Sequence, residues 1–148
     1  MANQYSVNNG GSALVAATAK TLVEITTTST QEARIKQLQV SFNDSSAAAG
    51  TKVELVTYTG ASTGTAYTPK KYNADAQGRA ANTSAKINDS VEPTTPTVLD
   101  VWYLPNTAGL FMQWPLGCEL YIPISTIFGV RVTAAGTPTT AVTLIFEE

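Results

Sequence analysis

The segment TVLDVWYLPNTAGLFMQWPLGCELYIPI, residues 97–124, holds both tryptophans and the only cysteine of the chain. Residues 98–104 and 110–114 are rich in β-branched, aromatic and other apolar side chains, which predicts two strands. Pro105 and Gly109 mark the turn between them, and these residue types favour a hairpin. Because apolar side chains occupy both faces of residues 98–104, we expect this strand to be covered on both sides. The core supplies one cover, and a second sheet, a long loop or a neighbouring subunit supplies the other.

Alternating apolar and polar residues, or runs of β-branched residues, predict the other strands: residues 4–7, 21–28, 33–42, 52–59, 120–125, 128–133 and 140–146. The inward-facing set shifts at Lys36 and Gln37, which predicts a β-bulge there. Turn residues recur at the spacing typical of a sandwich or barrel, and no long amphipathic helix is indicated. The sequence therefore predicts a single all-β domain. Its expected form is an antiparallel β-sandwich, best fitted by a jelly roll of roughly eight short strands with one long polar loop.

A polar N-terminal arm, residues 1–11, is predicted to precede the sandwich domain at residues 12–148. The arm reads MANQYSVNNGG and contains a short strand followed by an Asn-Asn-Gly-Gly turn. Such an arm can pair with an edge strand of its own sheet or of a neighbouring molecule. Because the arm is polar, we expect it to have little fold of its own, so that its deletion leaves the domain folded.

The long polar loop covers residues 60–96, where hydrophobic periodicity is weak and small polar residues and proline are frequent. A loop of this length is uncommon inside a compact domain and is often functional. Two interpretations stay open. The segment is either a solvated excursion with a short helical turn near residues 75–81, or a contact loop anchored by Tyr67 and Tyr72, since tyrosine is favoured at interfaces.

Composition limits the classes of partner that the chain is expected to have. Of its 148 residues, 43% are hydrophobic and 14% are charged, and this charged share is low against the usual ~25%. A surface with so little charge suits a protein that covers its faces with partners. The net charge of −2 argues against a nucleic-acid partner, which normally requires a basic face. Apolar runs are much shorter than the ~20 residues that span a bilayer, so we expect no membrane partner.

The residue types present exclude several kinds of catalytic and metal site. The chain has no histidine, which rules out Ser-His-Asp and Cys-His nucleophile arrangements and histidine-ligated metals. It contains no phosphate-binding Gly-rich motif with its lysine, and its acidic residues are scattered along the sequence. Cys118 cannot form an internal disulfide and is expected to be a small buried hydrophobe. We therefore expect no enzymatic activity, no cofactor and no metal.

Three segments resemble those of small structural proteins of tailed bacteriophages: residues 1–25 with the run AATAKT, residues 96–123 with GLF and PLG, and residues 141–148 ending in FEE. The similarity extends over most of the chain as a matter of sequence texture and includes no catalytic or binding motif. It is strongest to capsid decoration proteins, also called cement proteins, of the jelly-roll type.

This resemblance implies a homotrimer, made in the host cytoplasm, that binds the outer surface of an assembled phage capsid. There it stabilises the virion by bridging subunits of the major capsid protein. Apolar strand faces would join the copies, while the arm, by strand addition, and the basic loop residues, in a salt-dependent way, would contact the capsid. The candidate interface residues are Tyr5, Val7, Tyr67, Lys70, Lys71, Tyr72, Arg79 and Trp102.

The alternative is a module of a phage tail or receptor-binding protein that binds carbohydrate, because such modules share the same architecture. Exposed tryptophan or tyrosine rings on a concave sheet favour this alternative. A flat apolar contact surface favours the capsid decoration protein.

Overall fold

The computed structural model describes residues 3–43, 50–60, 62–72 and 79–148. Every regular element in this part of the chain is a β-strand, and the strands form two antiparallel sheets packed against each other, which confirms the predicted β-sandwich. The thirteen strands are β1 (Gln4–Asn8), β2 (Ser12–Ala13), β3 (Ala19–Thr26), β4 (Ala33–Asn43), β5 (Gly50–Tyr58), β6 (Thr65–Tyr67), β7 (Lys70–Lys71), β8 (Ser84–Ile87), β9 (Thr97–Pro105), β10 (Leu110–Gln113), β11 (Leu120–Ile122), β12 (Ile127–Ala134) and β13 (Thr139–Glu147).

Sheet A has the order β10-β4-β13-β1-β7, and sheet B has the order β6-β8-β3-β12-β5-β9. β10 and β11 pair with successive parts of β4, and the two-residue β2 pairs with β13. Without the four short strands β2, β6, β7 and β8, sheet A has the order β10-β4-β13-β1 and sheet B has the order β3-β12-β5-β9. The chain crosses between the two sheets in the way typical of a double-sheet jelly roll. Local alternation therefore predicted the long strands, and the short ones account for the difference from roughly eight strands to thirteen.

Three of the short strands lie in the segment predicted as one long loop, residues 60–96. β8 pairs with β3 and β6 pairs with β8, so that they extend sheet B, while β7 pairs with β1 at the edge of sheet A. These strands have two to four residues, which is too short for a periodic pattern to be visible. Most of the predicted helical turn near residues 75–81 lies outside the described residues.

The core between the sheets is made of the inward-facing residues of both sheets. The largest of its fully buried side chains are Tyr5, Phe128, Phe146, Leu22, Ile25, Ile35, Leu38, Leu55, Ile122 and Leu144. The ladder between β4 and β13 shifts at Lys36, because Gln37 pairs with Ile145 whereas Ile35 pairs with Phe146. This confirms the predicted bulge. The bulge keeps Ile35 and Leu38 facing the core although they are three positions apart in the sequence.

Residues 4–8 of the predicted arm form a strand of the chain's own sandwich, so the expectation that the arm has little fold of its own is wrong for this part. β1 lies inside sheet A, where it pairs with β13 along all five residues and with β7 on its other side. Tyr5 is 1% exposed, Val7 is fully buried, and the Tyr5 ring stacks on Phe146 with a centroid distance of 5.7 Å. The arm was predicted from its polar composition, but Tyr5 and Val7 alternate with polar residues and both face the core.

The predicted hairpin between residues 98–104 and 110–114 is wrong. β9 pairs with β5 in sheet B, whereas β10 pairs with β4 in sheet A, so the turn at residues 105–109 passes from one sheet to the other. Asn106 in this turn is buried, and its side-chain oxygen accepts a hydrogen bond from the Thr51 hydroxyl of β5. Proline and glycine indicated a turn correctly, but they carry no information about which strands the turn separates.

Candidate functional site

Lys70, Lys71 and Tyr72 lie together at the β7 edge of sheet A. The Lys70 side chain is exposed, Tyr72 is 56% exposed, and the backbone N–H of Tyr72 donates to the Gln4 carbonyl over 2.8 Å. The Lys71 amine is buried and has no hydrogen-bond partner among the described residues. Arg79 is exposed close to this edge, because its carbonyl accepts a hydrogen bond of 2.8 Å from the Tyr5 hydroxyl. The structure thus brings four predicted interface residues to one side of the sandwich.

The other predicted interface residues lie elsewhere. Tyr5 and Val7 belong to the core and offer no surface to a partner. Tyr67 and Trp102 are partly buried and pack against the core. Trp102 lies on β9, the last strand of sheet B, and a short turn connects β9 to β10 at one edge of sheet A. β7 lies at the other edge of sheet A, on the opposite side of the sandwich. The predicted residues therefore do not form one continuous surface.

A second exposed surface runs along β9 and the neighbouring β10–β11 region. The sequence predicted only that residues 98–104 of β9 are apolar on both faces. We name this surface the apolar edge and define it by Val98, Leu99, Val101, Tyr103, Phe111 and Leu116, whose exposure ranges from 37% for Val101 to 92% for Leu116. β9 is the last strand of sheet B among the described residues, so its outer backbone edge has no strand partner there. Exposed apolar patches and unpaired edges both mark interaction surfaces.

A bulge in β9 enlarges the apolar edge. The ladder with β5 shifts between Leu55, which pairs with Asp100, and Val56, which pairs with Val98, so that Leu99 is the extra residue. Val98 therefore faces outward together with Val101 and Tyr103, although simple alternation placed it on the other face. The expected second cover of this strand is not supplied by the described part of the chain.

Cys118, which was expected to be a small buried hydrophobe, is exposed.

The outer face of sheet B carries a buried ion pair. The Arg131 Nε of β12 donates to Glu54 Oε2 of β5 over 2.9 Å, and the Lys52 amine lies 3.1 Å from Glu54 Oε1. Glu54 is 3% exposed. Burial by itself would raise the pKa of Glu54, but the hydrogen bonds from Arg131 and Lys52 outweigh it and hold the pKa below its ordinary value.

Two runs of the segment between β5 and β9, residues 62–64 and 88–95, lie on the same outer face. We name them the polar cap. The Ser62 hydroxyl donates to Asp89 Oδ1 over 2.9 Å, and a Cβ on Gly64 would collide with the same carboxylate. The Thr63 hydroxyl donates to the Val91 carbonyl, also over 2.9 Å. These bonds join the two runs into one layer.

The polar cap is attached to β3 through Thr21. The backbone N–H of Asp89 donates to the Thr21 carbonyl over 2.9 Å. The Thr21 hydroxyl donates to Glu92 Oε2 over 2.9 Å, and the Thr21 N–H donates to the other carboxylate oxygen. The hydroxyls of Thr21 and Tyr58 lie 2.5 Å apart.

Under the polar cap lies Glu24, which is 1% exposed. Its cross-strand neighbour on β8 is Lys86, but the Lys86 amine donates to the Ser62 carbonyl over 2.9 Å. Burial, followed by repulsion from Asp89, raises the pKa of Glu24 to about 7. Burial is also the main cause that raises the pKa of Asp89. The sequence carried no signal for this acidic group, because its members come from distant parts of the chain.

Within the described residues, no group of three or more histidine, cysteine, aspartate or glutamate side chains is placed to bind a metal ion. The same residues include no helix with the length and apolar character needed to cross a membrane. Comparison of the chain with protein-family models, with curated proteins and with solved structures found no match.

Proposed function

We propose that this protein is a structural assembly protein of a virion, a capsid decoration protein whose copies meet through the apolar edge. The observation that carries the proposal is the apolar edge itself. Six large apolar side chains are exposed along one side of a domain in which only 14% of residues are charged. The resemblance of the sequence to phage decoration proteins supports the same role, and a homotrimer is the assembly that it implies.

The size of the apolar edge is appropriate for a contact between copies. A fully covered aromatic side chain buries about 150–250 Å², and the six residues, two of them aromatic, are 37–92% exposed, so together they offer several hundred Å². A specific protein interface buries ≈ 800 Å² per partner. The apolar edge with its polar surroundings reaches this order, and its unpaired β9 backbone adds hydrogen-bonding groups.

The β7 edge is the surface that we assign to the capsid. Lys70, Tyr72 and Arg79 combine positive charge with an exposed aromatic ring, and both Arg and Tyr are favoured at interfaces. Because β7 lies on the side of the sandwich opposite to β9, one copy can use both surfaces at the same time. Binding confined to the assembled lattice stabilises that lattice by mass action.

Replacement of Tyr103 by aspartate is expected to weaken trimer formation strongly. Tyr103 is 75% exposed in the single chain, so the substitution leaves the fold intact, but it places a charge inside the proposed contact. Loss of a central aromatic residue costs about 2 kcal/mol or more, which is about 30-fold in affinity. Sedimentation velocity at micromolar concentrations measures the effect. A wild-type protein that stays monomeric throughout that range contradicts the proposed contact between copies.

Alanine at Lys70 and Arg79 is expected to weaken capsid binding without changing the oligomeric state. Exposed charge pairs contribute ~0.2–1 kcal/mol each and are screened by salt. The loss relative to wild type is therefore several-fold at low ionic strength and shrinks as salt rises. Occupancy on undecorated capsids at two ionic strengths measures it. Equal occupancy of wild type and the double variant at low salt contradicts the assignment of the β7 edge.

Carbohydrate binding is the second candidate function, and one observation favours it. Gln31, Glu32, Arg34, Glu147 and Glu148 line an open cavity of about 320 Å³. The Tyr121 ring lies beside it, and its hydroxyl donates to Glu32 over 2.7 Å. Aromatic rings with carboxylates and arginine are suited to sugars. Tyr121→Ala separates the candidates, because it is expected to abolish binding to a glycan array and to leave capsid occupancy unchanged.

A further inference from the structure

The carboxyl groups of Glu24 and Asp89 are buried between sheet B and the polar cap, and neither forms an ion pair with a described residue. Glu24 is 1% exposed and Asp89 is 2% exposed. Glu24 Oε2 and Asp89 Oδ2 have no hydrogen-bond partner among the described residues. Burial of two unpaired negative charges is costly, and a proton on one of them removes most of this cost.

We propose that the polar cap is a proton-controlled latch, which stays on sheet B while the Glu24 carboxyl carries a proton and loosens when that proton is released to solvent. The proposal does not depend on the proposed function. It concerns the same outer face of sheet B whose last strand, β9, carries the apolar edge. Loosening of the polar cap therefore changes the surface beside that edge.

The charged groups around Glu24 explain why its ionisation acts on the polar cap. Asp89 and Glu92, both in the cap, repel an ionised Glu24. The Lys86 amine of β8 attracts it, but this amine donates to the Ser62 carbonyl over 2.9 Å. On β12 and β5, Arg131 and Lys52 are held by Glu54, and the Tyr58 hydroxyl is bound to Thr21. Because both repelling carboxylates belong to the cap, movement of the cap relieves the repulsion.

The direction of the pH dependence follows from proton binding. With the cap in place, burial and Asp89 raise the pKa of Glu24 to about 7 from an ordinary value of 4.5. With the cap released, Glu24 is hydrated and regains its ordinary pKa. The closed state therefore binds more protons between these two values, so closure is strongest at low pH and weakens as pH rises through this window. Above the higher value the effect levels off.

Hydrogen exchange of the full chain tests the latch. The reporter amides are Gly64, which donates to Ser62 over 3.1 Å, and Val91, which donates to Thr63 over 2.8 Å. After correction for intrinsic exchange rates, we expect both to lose more than about tenfold in protection between about pH 5 and pH 8, since a proton-binding shift of this size changes the equilibrium by at least that factor. The core amide of Val142, which donates to the buried Asn9 side chain, is expected to change less than about twofold.

Two variants control the exchange experiment. Glu24→Gln keeps the side chain neutral at every pH, so its cap amides are expected to stay protected throughout the range. Asp100→Asn removes a negative charge from an exposed position on β9 and is expected to behave as wild type. Protection of the wild-type cap that does not change with pH overturns the latch, and so does a pH dependence that persists in Glu24→Gln.

A second measurement covers the case in which Glu24→Gln does not fold. A carbon-13 NMR titration of the wild-type Glu24 carboxyl is expected to show a midpoint near the loss of cap protection. A midpoint at or below the ordinary value of 4.5 overturns the proposal, because such a carboxyl is already mostly ionised at the lowest pH of the exchange experiment. Addition of millimolar Ca²⁺ at pH 8 tests whether a metal cation, and not a proton, holds the polar cap on sheet B. Restored protection of Gly64 and Val91 by Ca²⁺ replaces the proton latch by a cation site.

Discussion

Replacement of Tyr5 by alanine is expected to lower the free energy of unfolding by about 3–5 kcal/mol, the usual cost of truncating a buried aromatic side chain. The Tyr5 ring is 1% exposed and stacks on Phe146 at 5.7 Å. The truncation leaves a cavity between β1 and β13 and removes the bond from the Tyr5 hydroxyl to the Arg79 carbonyl. Because domains have total stabilities of ~5–15 kcal/mol, this loss is a large fraction of the whole. Urea unfolding followed by tryptophan fluorescence measures it.

Two matched variants separate the contributions at this site. Tyr5→Phe removes only the hydroxyl and is expected to cost about 1 kcal/mol. Tyr72→Ala truncates a tyrosine that is 56% exposed, so a change within about 0.5 kcal/mol is expected. An unchanged urea midpoint for Tyr5→Ala would mean that β1 lies outside the sandwich, and the interpretation of residues 1–11 as a removable arm would then be restored.

Replacement of Arg131 by methionine is expected to destabilise the domain by about 3–5 kcal/mol near pH 7, since it leaves a buried carboxylate without its main partner. Glu54 is 3% exposed and receives a hydrogen bond of 2.9 Å from Arg131. The Arg131 hydrogen bond holds the pKa of Glu54 below its ordinary value, and Glu54 therefore stabilises the fold above that value. Its contribution disappears as pH falls through the lowered pKa. The difference between wild type and Arg131→Met is thus expected to shrink near pH 4.

The double variant Glu54→Gln/Arg131→Met controls for the loss of the arginine stem. It removes both charges together, so most of the stability is expected to return. Lys52→Met removes the more exposed partner, which lies 3.1 Å from Glu54, and is expected to cost about 1 kcal/mol or less. Thermal unfolding at pH 7 and pH 4 compares all four proteins. If the single and double variants are equally destabilised at both pH values, packing of the Arg131 stem matters and the ion pair does not.

Local patterns in the sequence were sufficient to predict the β-sandwich and most of its long strands. Residues 140–146 alternate over their whole length and residues 33–42 alternate on either side of one interruption, and such a pattern has one solution in a two-layer β fold, with the apolar set facing the core. The bulge at Lys36 was visible for the same reason, because one extra residue interrupts the alternation. Low charge and the two-sided apolar pattern of residues 98–104 also indicated a surface for partners.

The interface residues were harder to predict because burial is a property of the whole sheet. Tyr5 and Lys70 both lie on strands with polar neighbours, yet the first is in the core and the second is exposed. What distinguishes them is the face of sheet A on which they lie: Tyr5 faces the core, whereas Lys70 pairs with Ser6, whose side chain points to the opposite face. Sheet order depends on pairing between distant segments, and local composition contains little information about it.

The sequence by itself determined the fold class and the alternation of the long strands, since both follow from residue types at short range. The tertiary structure alone decided that β9 and β10 separate into different sheets and that Glu24 meets Asp89 beneath the polar cap. Both outcomes depend on contacts between residues far apart in the chain. Such contacts form only when the sheets close, and for this reason the buried carboxyl pair could not be foreseen from either of its segments.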